Sequence, residues 1–244
     1  MNNLSGVERE QYIRAMFTSI AGRYDLMNRL MTFGQDVRWR RQLIRRVCLP
    51  PNGRVLDLGA GTGDLAREAI RQYPKSQVVA TDFTFWMMQV GRSQSAQASP
   101  ESRRIFWTAA DAQQLPFPDE IFDAVVSGFL LRNISDLHNS LVEQLRVLKP
   151  GGMLLALDTT PPPHKFISPL IRFHLHRIIP LLGRIIAGQK KAYQYLPDST
   201  ERFLEPEQLA ERLVSVGFHK VAFKRFMFGT VAIHWGIKAV NGAR

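Results

Sequence analysis

One aspartate and three alternating glycines stand together in "DLGAGTGDLA" (Asp57 to Ala66), where Gly59, Gly61 and Gly63 are each separated by a single residue. Glycines in this pattern let a backbone turn approach a small ligand closely. A helix opening near Gly63 would aim its free N–H groups and the positive end of its dipole at an anion lying there. The dinucleotide fingerprint instead requires G-x-G-x-x-G after a strand. The alternating order, with Asp57 inside the feeding strand, fits a nucleoside whose tail ends in a carboxylate, and the methionyl carboxylate of S-adenosylmethionine has that character. Nineteen residues beyond Gly63, Asp82 closes "VVATD", placed to accept hydrogen bonds from both hydroxyls of an unphosphorylated ribose. A third acid, Asp111 in "AADAQQLPF", follows a predicted strand over Ile105–Ala109, where with the backbone around Ala112 it would accept the adenine amino proton. Any one of these is an ordinary turn feature. In this order and spacing they make a nucleoside site.

Such a site needs a scaffold of alternating strands and helices, and the apolar runs supply one. Residues Val55–Leu58, Gln77–Thr81, Ala124–Ser127 and Met153–Leu157 read as buried parallel strands. Gly63–Gln72, Leu137–Val147 and Pro206–Val216 read as helices between or after them, and "LKPGG" ends one helix and launches a strand. Near the C-terminus two β-rich runs meet at Gly229-Thr230, which predicts a hairpin closing the sheet with an antiparallel strand. An α/β Rossmann-like doubly wound sheet ending in a C-terminal antiparallel hairpin is the architecture of class I S-adenosylmethionine-dependent methyltransferases, so fold-level analogy favours methyl transfer.

The chain has 244 residues, 45% of them hydrophobic, enough to bury a substantial core in one domain with an insertion. Its formal net charge of +11 points to an anionic partner, whether nucleic acid, membrane surface or acidic substrate. A single cysteine, Cys48, excludes an intrachain disulfide and a cysteine-based zinc cluster, and no metal is expected. The first ten residues lack the layout of a secretory signal or transit peptide, which makes the cytoplasm the expected compartment. The most apolar segment, Phe166 to Ala187, is interrupted by Arg172, Arg177 and Arg184 and falls short of a membrane span.

The chain resembles the ubiquinone and menaquinone biosynthesis C-methyltransferases from about Phe17 to Lys238. The resemblance is carried by "YDLMNRLMTFG" (Tyr24 to Gly34) with Arg38-Trp39, the glycine turn, "DAQQLPFPDEIFDAV" (Asp111 to Val125), "LRN" (Leu131 to Asn133), "LKPGG" and "YQYLPDS" (Tyr193 to Ser199). It implies a single methyltransferase domain with an N-terminal helical cap over about 1–48 and a basic amphipathic insertion over about 161–203. The implied reaction moves a methyl group from S-adenosylmethionine to a ring carbon of a polyprenylated quinol, either demethylmenaquinol or the benzoquinol of the ubiquinone route. The candidate cofactor residues are Asp57, Gly59, Gly61, Thr62, Asp82, Phe83, Asp111, Ala112 and Gly128. Against the family pattern, Phe85 and Trp86 replace two polar residues beside the expected ribose, and Leu130, Gly128 and Asp158 stand where glycine, serine and glutamate are common.

The insertion carries Lys165, Arg172, Arg177, Arg184, Lys190 and Lys191 with no acid before Asp198, interleaved with apolar residues from Phe166 to Ile186. It reads both as a lid packed on the core and as a surface for an anionic membrane, where a polyprenyl substrate resides. The expected location is therefore peripheral, at the inner face of the cell membrane, with a homodimer or a quinone-biosynthesis complex as further partners. For catalysis, Arg132 and Asn133, just beyond the fourth strand, are candidates to orient the ring and stabilise a phenolate. Asp158, at the end of the fifth strand, is the candidate to accept the hydroxyl proton, with Tyr195 and His234 as weaker choices. The rival readings are a methyltransferase acting on nucleic acid or another small molecule, and a non-catalytic nucleoside-binding module. Against a nucleic-acid substrate, "SGFLLRN" stands where amino-methylating enzymes carry Asn/Asp-Pro-Pro-Tyr/Phe.

Overall fold

In a computed structural model, which describes residues 6–162, 168–184 and 190–240, the chain forms a seven-stranded sheet with helices on both faces. Three helices come first: α1 (Gly6–Ile20), α2 (Tyr24–Met31) and α3 (Gln35–Arg45). The alternating part follows as β1 (Arg54–Leu58), α4 (Asp64–Gln72), β2 (Gln77–Asp82), α5 (Phe85–Ala98), β3 (Ile105–Ala109), β4 (Phe122–Gly128), α6 (Leu137–Val147) and β5 (Leu148–Thr159). The insertion contributes α7 (Ser168–Phe173), a π-helical stretch over His174–Ile178, α8 (Ile179–Leu182) and α9 (Lys190–Glu201). The chain ends with α10 (Pro206–Val216), β6 (Phe218–Phe226) and β7 (Val231–Lys238).

The strand order is β3-β2-β1-β4-β5-β7-β6, parallel throughout except for β7, which runs antiparallel to both neighbours. The predicted hairpin is present, and its second strand lies inside the sheet between β5 and β6 while β6 forms the edge. "LKPGG" follows the end of α6 and launches a strand as expected, and β5 begins at Leu148, earlier than the expected Met153: Leu148 already pairs with Phe122, and the register slips before Met153 pairs with Ala124. Gly151 at φ +81° allows the irregular backbone there.

Side-chain alternation along β1 explains both faces of the core. Val55 points to the side covered by α3 and α4, with Trp39, Leu43, Ala66 and Ile70. Leu56 and Leu58 point to the side covered by α6 and α10, with Leu141, Leu209 and Leu213. The same alternation puts Asp57 on the α4 face. A third cluster joins Met16, Ile20, Met27 and Met31 of the N-terminal helices to Ile179, Tyr193 and Tyr195 of the insertion, so the cap and the insertion pack against each other. Burying a side chain such as Met27 or Ile179 contributes about 1.5–3 kcal/mol. That is sufficient to hold one apolar face of the insertion down. Its arginines 172, 177 and 184 remain exposed, together with Phe173 and Leu181. Lys165, Phe166, Ile167, Ile185 and Ile186 lie outside the described residues.

Candidate active site

The order of the sheet reverses at β1, where β2 lies on one side and β4 on the other. A crevice opens there beyond the strand carboxyl ends. Its wall takes Gly59 and Gly61 after β1, Asp82 and Phe83 at the end of β2, Asp111 and Ala112 after β3, and Gly128 and Phe129 at the end of β4. Residues predicted from widely separated stretches thus converge on one cleft. The N-terminal helices roof it with Ile13, Phe17 and Tyr24.

The glycine turn has the conformation its composition requires. Gly59, Gly61 and Gly63 have φ of +65°, +57° and +83°, the left-handed region that favours glycine. A methyl group on Gly59 would lie 2.6 Å from Leu130 Cδ1, and one on Gly63 would lie 2.5 Å from Trp107 Cη2. Gly63 caps α4, and the N–H of Ala66, in its first turn, donates to Asp57 Oδ2 at 2.9 Å. Asp57 is buried and outside the cleft wall, so it shapes the turn from behind. Burial pushes its carboxyl up to about 7 against the opposing hydrogen bond from Ala66, and its Oδ1 has no hydrogen-bond partner among the described residues. Thr62 is also behind the wall, donating its hydroxyl to Asp25 Oδ1 at 2.6 Å and tying α2 to the turn.

Asp82 does two jobs. Its Oδ2 accepts the Gly61 N–H at 2.8 Å and its Oδ1 the Thr84 N–H at 2.7 Å, which clamps the glycine turn to β2. Each carboxylate oxygen retains lone-pair capacity toward the cleft. Burial raises the Asp82 carboxyl above its ordinary range, opposed by the hydrogen bonds from Thr84 and Gly61. Asp111 accepts the Gln113 N–H at 2.8 Å in the loop wall. Phe85 and Trp86, by contrast, are 52% and 59% exposed and stack edge to face on each other, while Phe83, Thr84 and Met87 line the cleft. The helical turn that opens α5 leaves the two departures out of the cleft wall.

Behind the turn lies a network of ions that the sequence did not announce. Asp36 pairs with Arg29 and Arg40, and Asp64 pairs with Arg29 at 2.9 Å and with Arg67 at 2.7 Å. Burial alone would raise the Asp64 carboxyl, but Arg40, Arg29 and Arg67 together hold it below its ordinary value. The network fastens α2 and α3 to the start of α4.

Beyond β4 the candidate catalytic residues meet. Arg132 Nη1 donates to Asp158 Oδ1 at 2.5 Å, and the Arg132 backbone N–H lies 3.3 Å from Asp158 Oδ2. Asn133 Nδ2 donates to the Phe129 carbonyl at 3.2 Å, and Tyr195 donates its hydroxyl to Asn133 Oδ1 at 3.0 Å. Asn133 lines the cleft; Arg132 lines a separate cavity of about 420 Å³. That cavity is apolar, with Met31, Trp39, Ile171, Leu175, Ile179 and Leu196 among its walls.

The expectation for Asp158 as a base facing substrate meets a different arrangement. Asp158 is 2% exposed, accepts from Arg132 and from the Thr159 N–H at 2.8 Å, and lines neither the cleft nor this cavity. His234 is likewise buried away from both, its Nε2 at 2.9 Å from the Pro206 carbonyl, and burial lowers its pKa.

Three residues at this junction escaped the sequence reading. Phe129 lines both the cleft and the apolar cavity, at φ +61°, with the guanidinium of Arg40 5.4 Å and that of Arg132 5.5 Å from its ring centre. Arg40 is buried. Tyr24, inside the quoted "YDLMN" run, is also at the cleft, and burial raises its hydroxyl against the pull of Asn28, Arg132 and Arg40. Only Tyr24 had a signal in the sequence, as part of that run.

The model of the ubiE/COQ5 methyltransferase family matches residues 6–238. The chain belongs to this family. It is 47% identical to the ubiquinone/menaquinone biosynthesis C-methyltransferase UbiE of Desulfotalea psychrophila, over 93% of this chain and 90% of the relative. It is 42% identical to the demethylmenaquinone methyltransferase of Thermus thermophilus, over 91% and 99%. Among solved structures, a SAM-dependent methyltransferase from Thermotoga maritima superposes with a TM-score of 0.64 at 18% identity, covering 92% of this chain and 98% of that one, which shows the shared fold. This ubiE/COQ5 family member is an S-adenosylmethionine-dependent C-methyltransferase with a class I fold. Its cleft fits the cosubstrate: left-handed glycines leave room for a ligand against the backbone, and carboxylates stand at the ends of β2 and β3.

Proposed function

We propose that this methyltransferase alkylates a ring carbon of a polyprenylated quinol, the demethylated naphthoquinol or the corresponding benzoquinol. The names of its relatives, drawn from ubiquinone and menaquinone biosynthesis, support the substrate class. The observation that carries the reading is the position of Phe129. One side chain borders the cosubstrate cleft and the apolar cavity together, with the Arg132 guanidinium in the wall of the latter.

Asp82, Asp111 and the glycine turn bind and orient the nucleoside, and the bound S-adenosylmethionine supplies an electrophilic methyl on sulfonium. The chain's own residues must prepare the ring. Arg132, desolvated and fixed by Asp158, stabilises the negative charge on a quinol oxygen, so the hydroxyl proton leaves to solvent at lower cost. The adjacent ring carbon forms the new bond to the methyl, the sulfur keeps the electron pair of the broken bond, and loss of the ring proton restores aromaticity. Asp158 acts as a positioning residue through its two contacts with Arg132. Arg132 Nε, buried and without a partner among the described residues, is a donor left for the ligand. Asn133 and Tyr195 hold the Phe129 backbone from the other side.

A membrane origin for the substrate is supported by the rim of the apolar cavity. Phe33, Phe173 and Phe228 line it while being 72%, 56% and 70% exposed. Exposed aromatics around an apolar opening, beside the exposed Arg172, Arg177 and Arg184, match a protein resting on an anionic bilayer and drawing in a lipid-tailed ring. No described helix is long and apolar enough to cross a membrane. The inner face of the cell membrane is the location this reading requires.

The deciding experiment supplies labelled S-adenosylmethionine with each of the two reduced quinones and identifies products by mass spectrometry. One added methyl on a ring carbon is expected. Label transfer to neither ring would overturn the substrate assignment.

A further inference from the structure

A larger cavity, about 630 Å³, shares Arg132 with the apolar cavity and Ile134 with the cosubstrate cleft, and nothing in the methyl-transfer reaction uses it. Arg9 of α1, His138 of α6, Arg202 after α9 and Arg212 of α10 converge on it from four parts of the chain, against the single carboxylate of Asp198. Some arginines elsewhere on the molecule are matched to acids, as in Arg67 with Asp64, Arg146 with Glu143 and Arg225 with Glu207, whereas those around this hollow share it with one another. Among the described residues neither Arg202 nor Arg212 has an ion pair. Among the described residues the Arg9 side chain makes one hydrogen bond, to the carbonyl of Arg132 at 3.4 Å. Unmatched guanidiniums around one hollow repel each other, and an anion between them removes that repulsion. Their forked donors suit phosphate oxygens in particular.

Apart from Ser199 and Tyr195, the rest of the lining is apolar. Leu131 and Leu141 are fully buried beneath it, and Leu137, Phe203 and Leu204 complete the surface. A bare inorganic ion has no use for such a floor, whereas an alkyl chain joined to the anion does. We propose that this cavity is a second ligand site, which takes a phosphate ester carrying an apolar chain. The phosphate lies among Arg9, Arg202 and Arg212, and the chain lies on the leucines. The same chemistry is offered by a phospholipid in a bilayer and by a soluble alkyl phosphate. The site also touches the catalytic region, since Tyr195 in its wall donates to Asn133.

Calorimetry with hexyl phosphate, inorganic phosphate and hexanol, on the full chain without quinol, tests the site independently of methyl transfer. Hexyl phosphate should bind at least about tenfold tighter than either control. The R202Q/R212Q double variant should lose about tenfold or more of that affinity, as expected for removing charge-assisted hydrogen bonds. Both positions are exposed, so circular dichroism should show an unchanged melting temperature. Equal binding of hexyl phosphate and hexanol, or equal binding by variant and wild type, overturns the proposal. Phosphatidylglycerol vesicles then separate the sources. Displacement of the protein from vesicles by hexyl phosphate, absent in R202Q/R212Q, identifies a bilayer lipid. Vesicle binding indifferent to both, alongside retained hexyl phosphate affinity, identifies a soluble ester.

Discussion

Arg132 and Asp158 form a buried ion pair across the ends of adjacent strands β4 and β5, with their side chains 5% and 2% exposed and 2.5 Å between Nη1 and Oδ1. Removing one member of such a pair leaves an uncompensated charge in the interior, which costs about 3–5 kcal/mol. Arg132→Ala should therefore lower the melting temperature and depress turnover by about 10²-fold or more, the loss typical of a preorganised charge stabiliser. Its affinity for S-adenosylmethionine should stay close to wild type, because Arg132 is not in the cleft wall. Lysine should rescue only in part, since a point charge cannot reproduce the guanidinium fork. The double variant R132M/D158L should regain stability without regaining turnover. A variant lacking Arg132 that methylates at the normal rate would remove it from the mechanism.

Asp82→Ala should weaken S-adenosylmethionine binding by about 1.5–3 kcal/mol or more. The structure adds a reason for the larger value, because the carboxylate also clamps the Gly61 and Thr84 N–H groups. Calorimetry on the folded variant measures this, and unchanged affinity would sink the assignment.

Asp57 makes stability depend on pH in a defined direction. With its carboxyl raised from 3.8 to about 7 in the folded chain, the native state retains a proton that the unfolded state has released. Stability from this group therefore falls as pH rises between those values, and is level above about 7. Asp57→Asn lacks the effect. The melting temperature of D57N relative to wild type should climb between pH 4 and 7 and flatten beyond, as followed by calorimetric scans at stepped pH.

Gly91 of α5 lies far from Gly59–Gly63 in sequence yet directly beneath the turn. A methyl group there would lie 2.6 Å from the Thr62 carbonyl oxygen, and backbone cannot yield as a flexible side chain does. Gly91→Ala should cost about 1–3 kcal/mol through overpacking and should weaken the cosubstrate as well, although residue 91 touches no ligand. Chemical denaturation and a binding titration on the same sample check both.

Replacing Arg172, Arg177 and Arg184 with glutamine should reduce sedimentation with anionic liposomes while sparing activity on a short-tailed quinol. All three are exposed, on helical turns whose other face packs on the N-terminal cap. An equal fall in soluble-substrate activity would mark the segment as a lid alone.

The cleft was legible because its parts are local. Gly59, Gly61 and Gly63 are neighbours in one turn, Asp82 and Asp111 each follow a recognisable apolar strand, and a parallel sheet brings strand ends together by its topology. Less was legible at the junction with substrate. Phe129 reads as one more apolar residue after a strand, Arg40 as a charge on an ordinary helix, and Asp158 as an acid free to act. The ion pair that engages Asp158 joins residues 26 apart, and the Arg29–Asp64 contact joins residues 35 apart.

The alternating fold, the antiparallel C-terminal strand, the residues that converge on the cleft and the resemblance to quinone methyltransferases could all be read along the chain. All of these are written in the spacing of consecutive residues: short apolar runs, alternating glycines, and acids at strand ends. Long-range packing set the rest: Asp158 supports Arg132 from within the protein, Trp86 turns away from the cleft, and Phe129 stands between the cleft and the apolar cavity. It alone gathered Arg9, Arg202 and Arg212 around one hollow. Those outcomes depend on which distant side chains share a small buried volume. That is settled when helices pack and charges lose their water, and no local pattern encodes it.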